Sequence, residues 1–260
     1  MPSAVKADSL EAALAAAIRR FDGSSPVTPQ VHAHFGADQT DRHARMQLVL
    51  EAAAGEGASP DVAVDAACAV EILHHSTLVH AGVQHGVPSP FGLAHAINAG
   101  DALCAMAYLH VLDGPAHRAP ERTVLMTRVL QAANFALCAG LAAEIAFERA
   151  GVAAADEYRA MIEGKAALFA AACELGALAA GAPADRAGAY ARLGRDYAAG
   201  AQIERHAQTD AAARPWRLPA EASLATARAA FAQADAAAGV AGIDPGGALR
   251  ACLNRAIRAV

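Results

Sequence analysis

The sequence is poor in aromatic side chains and in the residues that favour strands. Phenylalanine, tyrosine and tryptophan together make up only 5% of its 260 residues. Runs of β-branched residues are also scarce, although 55% of the residues are hydrophobic. Alanine and leucine supply most of that apolar content, and both favour helices over strands. We therefore expect an all-α protein, organised as one domain over residues 1–260.

Charge and cysteine content argue against several classes of protein. The net charge is -5 and no basic run occurs, so neither nucleic acid nor a membrane surface is an expected partner. The five cysteines lie far apart with no Cys-x-x-Cys pair, which favours buried thiols over disulfides or zinc. The sequence shows no uncharged apolar stretch of membrane-spanning length and no signal-peptide pattern. We therefore predict a cytoplasmic protein.

Helical periodicity, interrupted by glycine and proline, predicts a bundle of about ten helices. The predicted helices cover approximately residues 9–21, 45–54, 61–85, 91–112, 121–150, 156–180, 186–209, 220–238 and 246–259. The polar, histidine-rich composition of residues 31–45 indicates a loop between the first two of these helices.

One segment of this pattern stands out because histidines interrupt it. Residues 71–86 read EILHHSTLVHAGVQHG, which combines the apolar spacing of a buried helix with four histidines. On a helix, His74, Leu78, Ala81 and His85 share one stripe. Because imidazoles are uncommon in helix cores, this segment is the first candidate for a functional site.

Several segments, in a fixed order, resemble the trans-polyprenyl diphosphate synthases, which join isoprenoid diphosphates inside a helical bundle. The similar segments are DRHARM (41–46), VEILHHSTLVH (70–80), AINAGDAL (96–103), CAG (138–140) and GKAALFAAACELGALAAG (164–181). The resemblance implies a helical bundle around a deep central cavity. It also implies that Arg42, Arg45 and Lys165 lie where the family binds diphosphate groups.

The sequence departs from that family at the positions where the family holds three Mg²⁺ ions. The family uses two Asp-Asp-x-x-Asp motifs there, because hard cations require oxygen ligands. Here the first motif position reads AGVQH (81–85) and the second reads RHAQT (205–209). We therefore expect neither a Mg²⁺ cluster nor any other cofactor.

The candidate site residues fall into a substrate-binding set and a catalytic set. Basic and polar side chains can bind phosphate oxygens without metal, and small ones leave depth for an apolar chain. The predicted substrate-binding residues are Arg42, Arg45, Lys165, Gln202, Arg205, Ser76, Thr77 and His80. Imidazoles can act as general acids and bases, so His85 and His206 are the predicted catalytic residues.

Three interpretations of these residues remain open. The first is a divergent isoprenoid enzyme, either an atypical prenyltransferase or a terpene cyclase, that binds an isoprenoid diphosphate without Mg²⁺. The second is a transition-metal site formed by His80, His85 and His206. The third is loss of catalysis, in which the chain is a silent binding protein or regulates an active prenyl synthase. The resemblance implies pairing through the middle helices, as a homodimer or as a heterodimer with such a synthase.

Overall fold

The structure, a computed structural model, describes residues 7–23, 27–37, 43–114, 119–152, 154–209, 217–220, 222–244 and 246–258. Within these ranges the chain forms ten α-helices and one short 3₁₀ helix, Pro60–Ala63. The α-helices are α1 (Ala7–Arg19), α2 (Thr28–Ala37), α3 (Ala44–Gly55), α4 (Val64–Gln84), α5 (Leu93–Leu112), α6 (Pro120–Ala150), α7 (Ala155–Ala179), α8 (Ala184–Gln208), α9 (Leu224–Ala241) and α10 (Ala248–Arg258). The all-α architecture predicted from the sequence is confirmed.

Local sequence explains where several helices begin and end. Pro120 lies in the first turn of α6, where its missing N–H removes no helical hydrogen bond. Gly151 ends the same helix with a left-handed φ of 71° and donates its N–H to Phe147 O. Ser223 begins α9, because its hydroxyl oxygen accepts the backbone N–H of Thr226. Such local signals locate the two ends of α6, whereas the predicted start of α9, at residue 220, lies before the observed start at Leu224.

The prediction of a loop over residues 31–45 is wrong in its first part, because Thr28–Ala37 forms α2. This helix has a proline in its first turn, and it buries Val31 to 3% exposure. It also brings His34 against α4, where His34 Nε2 lies 3.0 Å from His75 Nδ1. Tertiary packing therefore stabilises a helix that the polar composition does not indicate.

Two glycines allow α6 and α7 to cross at close range. A Cβ atom on Gly164 would lie 2.6 Å from Ala136 O and 2.9 Å from the Cα of Gly140. A larger residue at either glycine would push the helices apart. The crossing therefore sets the relative position of the side chains that follow it, which include Glu144 on α6 and Lys165 on α7.

Within the described residues, two spans are long and apolar enough to cross a membrane by length and composition alone, namely Pro60–Gln84 and Pro120–Ala150. In the most apolar 18-residue segment of the first span, 61% is buried inside the bundle. The corresponding share for the second span is 22%. Burial in a protein core explains the apolar character of the first span, and two such helices are weak evidence for a membrane segment.

The cysteines, all of which lie in the described residues, form no disulfide with one another. Cys68, Cys173 and Cys252 are buried, and Cys104 is half-buried. Cys138 on α6 is exposed, so the expectation of buried thiols does not hold for this residue.

Candidate functional site

A cavity of about 160 Å³ lies among α3, α4, α6, α7, α8 and α10. Its described lining residues are Arg45, His74, Thr77, Leu78, Ala81, Leu137, Leu141, Lys165, Ala166, Leu168, Phe169, Ala198, Gln202, Arg205 and Ile257. The predicted site residues that meet there are Arg45, Thr77, Lys165, Gln202 and Arg205. Another predicted residue, Arg42, lies outside the described residues. We call this space the cationic cavity, because three of its lining side chains carry positive charge.

Arg45 is a buried cation in the first turn of α3. Its side chain is 2% exposed, and its Cζ lies 5.3 Å from the centroid of the Phe169 ring. The electron-rich ring face stabilises the guanidinium, which offsets part of the cost of removing it from water. Arg45 is therefore held at the cavity wall against the ring of Phe169.

Lys165 contributes a cation that already has a counter-ion. Its Nζ donates a hydrogen bond to Glu144 Oε1 at 2.7 Å, and the two side chains are 21% and 24% exposed. Glu144 comes from α6, four residues after Gly140, and therefore lies on the helix face that crosses α7. An anion that enters the cavity must compete with this carboxylate for Lys165.

Arg205 and Gln202 lie one turn apart on α8. Arg205 Nη2 donates to Ile257 O at 3.3 Å, and burial lowers the pKa of its guanidinium from the usual value, which is far above neutrality. Gln202 Nε2 lies 3.0 Å from His206 Nε2. Because an amide nitrogen only donates, His206 Nε2 accepts, and His206 Nδ1 donates its proton to Tyr158 OH at 3.0 Å. His206 is thus adjacent to the cavity without lining it.

The remaining predicted residues on α4 do not line the cationic cavity. Ser76 is buried and donates its hydroxyl proton to Gly100 O at 2.8 Å, so it faces α5. His80 also faces α5, where its Nε2 lies 3.4 Å from Asp101 Oδ1. His85 is exposed at the C-terminal end of the helix. The roles assigned to these three side chains stay predictions.

The cavity also contains His74, to which no binding role was assigned from the sequence. Burial, with added repulsion from Arg45 and from the imidazoles of His75 and His34, lowers the pKa of His74 well below its usual range. His74 is therefore neutral at pH 7. Behind it, His75 Nε2 lies 3.9 Å from a carboxylate oxygen of Glu71, which is 2% exposed.

Two residues that shape the site were missed from the sequence. Glu144 could have been found, since it lies on the same helix face as Gly140 and that glycine marks a close helix crossing. Tyr158, which is 2% exposed, contacts His206 from a different helix. No sequence signal indicates this second contact, because the two residues are far apart in the chain.

Sequence comparison shows the family to which the chain belongs. The sequence model of the polyprenyl synthetase family matches residues 37–204, well over half of the chain. The (2E,6E)-farnesyl diphosphate synthase of Mycobacterium tuberculosis is 37% identical over 161 residues, which are 58% of this chain and 44% of that protein. The chain therefore belongs to the polyprenyl synthetase family. It spans about half the length of the curated relatives it matches.

Solved structures share the whole fold. A geranylgeranyl pyrophosphate synthetase from the archaeon Geoglobus acetivorans superposes with a TM-score of 0.77 at 18% identity, covering 97% of each chain. A deletion mutant of the heterotetrameric geranyl pyrophosphate synthase of mint gives 0.67 at 16% identity, covering 90% of this chain and 98% of that one. At such identities the likeness shows the fold alone.

Family members normally depend on Mg²⁺, so the donor groups of the site bear on whether this chain can hold that ion. Among the described residues, no group of three or more His, Cys, Asp and Glu side chains is placed to hold a metal. The described lining of the cationic cavity has three cations and no carboxylate, and Glu144 beside it is paired with Lys165. This donor set does not fit a Mg²⁺ cluster, which requires several oxygen ligands. That the chain works without Mg²⁺ stays a prediction.

Proposed function

We propose that this chain binds an isoprenoid diphosphate through basic side chains rather than through Mg²⁺, as an atypical prenyltransferase or terpene cyclase. The observation that supports the proposal is the convergence of Arg45, Lys165 and Arg205 on one cavity whose other described walls are mostly apolar. Each charge-assisted hydrogen bond to a phosphate oxygen contributes about 1.5–3 kcal/mol. Membership of the polyprenyl synthetase family supports an isoprenoid as the apolar part of the ligand.

The size of the cavity limits what can bind without rearrangement. Its volume of about 160 Å³ lies below the roughly 300–1,000 Å³ of most ligand sites. It equals on the order of five water-sized groups, enough for one phosphate group and not for a complete isoprenoid. Of the two small residues expected to give depth, Thr77 lines the cavity and Ser76 faces away. Binding a prenyl chain therefore requires an apolar wall residue to move.

The proposal gives each polar residue a role. Arg45 and Arg205 bind phosphate oxygens, and Lys165 joins them once it leaves Glu144. Gln202 donates to the bound anion when it rotates away from His206. Once Gln202 has moved, His206 Nε2 takes up a proton from solvent. The resulting imidazolium supplies that proton to the leaving group, which partly replaces the electrostatic stabilisation that metal ions provide in such reactions.

Calorimetric titration with inorganic pyrophosphate, in the presence of EDTA, tests the binding step. We expect saturable binding that Lys165→Met and Arg205→Met each weaken by about 10- to 150-fold, the equivalent of one charge-assisted hydrogen bond. Arg192→Met is the matched control, since this exposed arginine on α8 does not line the cavity. Binding that appears only with Mg²⁺, or that both variants leave unchanged, would contradict the proposal. Product analysis with farnesyl diphosphate in EDTA then tests turnover.

A non-catalytic partner of an active prenyl synthase is the second candidate function. Exposed apolar side chains on two neighbouring helices favour it, since Phe135 on α6 is 79% exposed and Leu109 and Leu112 on α5 are 40% and 50% exposed. Surfaces of this kind mark protein interfaces. We infer that the chain pairs through α5 and α6, as a homodimer or as a heterodimer.

Sedimentation analysis with Phe135→Glu tests this interface. The variant should shift the protein from dimer towards monomer, because a carboxylate would be buried at the contact. Gln131→Glu, on an exposed position one turn earlier in α6, is the charge-matched control. If the wild type sediments as a monomer, it does not form a homodimer. If the purified homodimer alone converts an isoprenoid substrate to product, the chain is not a non-catalytic subunit.

Two further properties complete the proposal. We propose that residues 1–260 form a single domain and that the protein is cytoplasmic. Limited proteolysis tests the first, since a single domain should give no stable half-sized fragment. Fractionation of cells tests the second, and recovery in the membrane pellet would contradict it.

A further inference from the structure

One large apolar side chain in the wall of the cationic cavity comes from the end of a helix. The other large apolar residues of the described wall lie in the interior of α4, α6 and α7, which have 21, 31 and 25 residues. Ile257 lies next to the last residue of α10, which has only 11 residues. Helix ends open more easily than helix interiors. Among these side chains, Ile257 is therefore the easiest to move.

Arg205 holds this end of α10 in place. Its Nη2 donates a hydrogen bond to Ile257 O at 3.3 Å. The last four carbonyl groups of a helix have no donor within the helix, and they carry the negative end of its dipole. A cationic side chain that donates to one of them stabilises the last turn. Arg205 therefore caps α10 from the neighbouring helix α8.

An anion in the cavity would compete for the same guanidinium. The 3.3 Å separation is longer than the usual value of about 2.9–3.0 Å, so the existing bond is weak. Arg205 is half-buried, and no carboxylate within the described residues pairs with it. A phosphate oxygen carries negative charge, so it attracts the guanidinium more strongly than an uncharged carbonyl does. Anion binding should therefore remove the cap from α10.

We propose that Ile257 determines which ligands the cationic cavity admits, because the last turn of α10 (residues 255–258) is a lid that Arg205 releases when it binds an anion. This inference rests on the proposed function, in which Arg205 binds phosphate oxygens. Once the arginine has moved to the anion, the lid opens and Ile257 leaves the wall. The prenyl chain of the ligand then occupies the space of that side chain.

Hydrogen–deuterium exchange of the full chain in EDTA tests the lid. Saturating pyrophosphate should speed exchange of the backbone amides in the lid roughly 2- to 13-fold, which corresponds to the loss of one hydrogen bond. A ligand that only packs against the lid would slow this exchange instead. The N–H of Leu249, which donates to Asp244 Oδ1 at the start of α10, should exchange at an unchanged rate.

Arg205→Met tests the cap without any ligand. The lid of this variant should exchange at the faster rate from the outset, and pyrophosphate should not raise that rate. Arg192→Met, at an exposed position on α8 outside the cavity, should behave like the wild type. Equal exchange by Arg205→Met and the wild type overturns the lid. A wild type that binds pyrophosphate without faster exchange also refutes the lid alone, whereas a wild type that binds no pyrophosphate refutes the proposed function.

Calorimetric titration with farnesyl diphosphate and with pyrophosphate, both in EDTA, tests the role of Ile257. A prenyl chain needs the space of this side chain, and pyrophosphate does not. Ile257→Ala should therefore strengthen binding of farnesyl diphosphate relative to pyrophosphate by about fourfold or more, the equivalent of one methylene group. Leu253→Ala is the matched control, since Leu253 is also buried in α10 but does not line the cavity.

The ratio of the two affinities should be the same in Leu253→Ala as in the wild type. An equal change of the ratio in both variants, or no change in Ile257→Ala, overturns the role assigned to Ile257. If Ile257→Ala does not fold, Ile257→Val gives the same test with a smaller shift in the same direction.

Discussion

Replacing Glu144 with glutamine should strengthen anion binding while it weakens the fold. Lys165 Nζ donates to Glu144 Oε1 at 2.7 Å, and Lys165 is also a wall residue of the cationic cavity. Each anion that binds Lys165 must first break this pair. Glutamine keeps the size and the carbonyl acceptor of the side chain but removes the charge, so the anion meets weaker competition.

The strength of the pair sets the size of the effect. Fully exposed pairs contribute about 0–1 kcal/mol, and breaking fully buried ones costs about 3–5 kcal/mol. With the two side chains 21% and 24% exposed, we take about 1–2 kcal/mol for Lys165 and Glu144. Pyrophosphate should then bind about 5- to 30-fold more tightly to Glu144→Gln. Without ligand, the variant should unfold about 2–8 °C lower, because the same pair stabilises the folded state.

Calorimetric titration with pyrophosphate in EDTA, together with thermal unfolding, measures both effects on one sample. Glu148→Gln is the control, since it removes the same charge from an exposed position one turn later in α6. That variant should change binding and melting temperature little. Weaker anion binding by Glu144→Gln would refute the reasoning, and a requirement for Mg²⁺ in the wild type would contradict metal-free binding.

Three further predictions concern the packing, the buried imidazole and the thiols. Gly164→Ala should lower the free energy of unfolding by about 1–3 kcal/mol, because its Cβ would lie 2.6 Å from a backbone oxygen of α6. Gly188→Ala, in an open part of α8, should raise it by about 0.5–1 kcal/mol, so equal stabilities in urea would contradict the close crossing. His74 takes up a proton on unfolding because its native pKa is depressed, so stability falls as the pH drops below about 6.5. His74→Gln should reduce that loss of stability at low pH. Curves of unfolding free energy against pH that run parallel for the variant and the wild type would contradict this prediction. A thiol reagent should modify Cys138 in the native protein but Cys173 only after unfolding, since burial also raises the pKa of Cys173, and simultaneous labelling would contradict the described burial.

Much of the fold could be predicted from local signals. Pro120 and Gly151 bound α6 because one lacks a donor that the first turn does not need and the other adopts a left-handed backbone. The exception is α2, where a polar composition masks a helix that is stabilised by burying Val31. Its stability comes from contacts with residues distant in sequence, which local composition does not report.

For the candidate site too, the sequence predicts some features and not others. Arg45, Lys165 and Arg205 were located from similar segments and helical spacing, and the structure brings them to one cavity. The residues and helices that these side chains contact could not be predicted in the same way. Glu144 neutralises Lys165 from α6, and Ser76 faces α5 although Thr77 beside it lines the cavity.

The sequence alone determined that this chain is helical, approximately where its helices begin and end, and which basic side chains are candidates for an anion site. Periodicity and capping are properties of neighbouring residues, so they can be recognised along the chain. Only the tertiary structure decided which helix each face packs against. That choice pairs Lys165 with Glu144 and turns His80 towards Asp101. Which helices become neighbours depends on how all of them pack together. The spacing of apolar residues along one helix identifies its buried face, but it does not identify the helix that packs against that face.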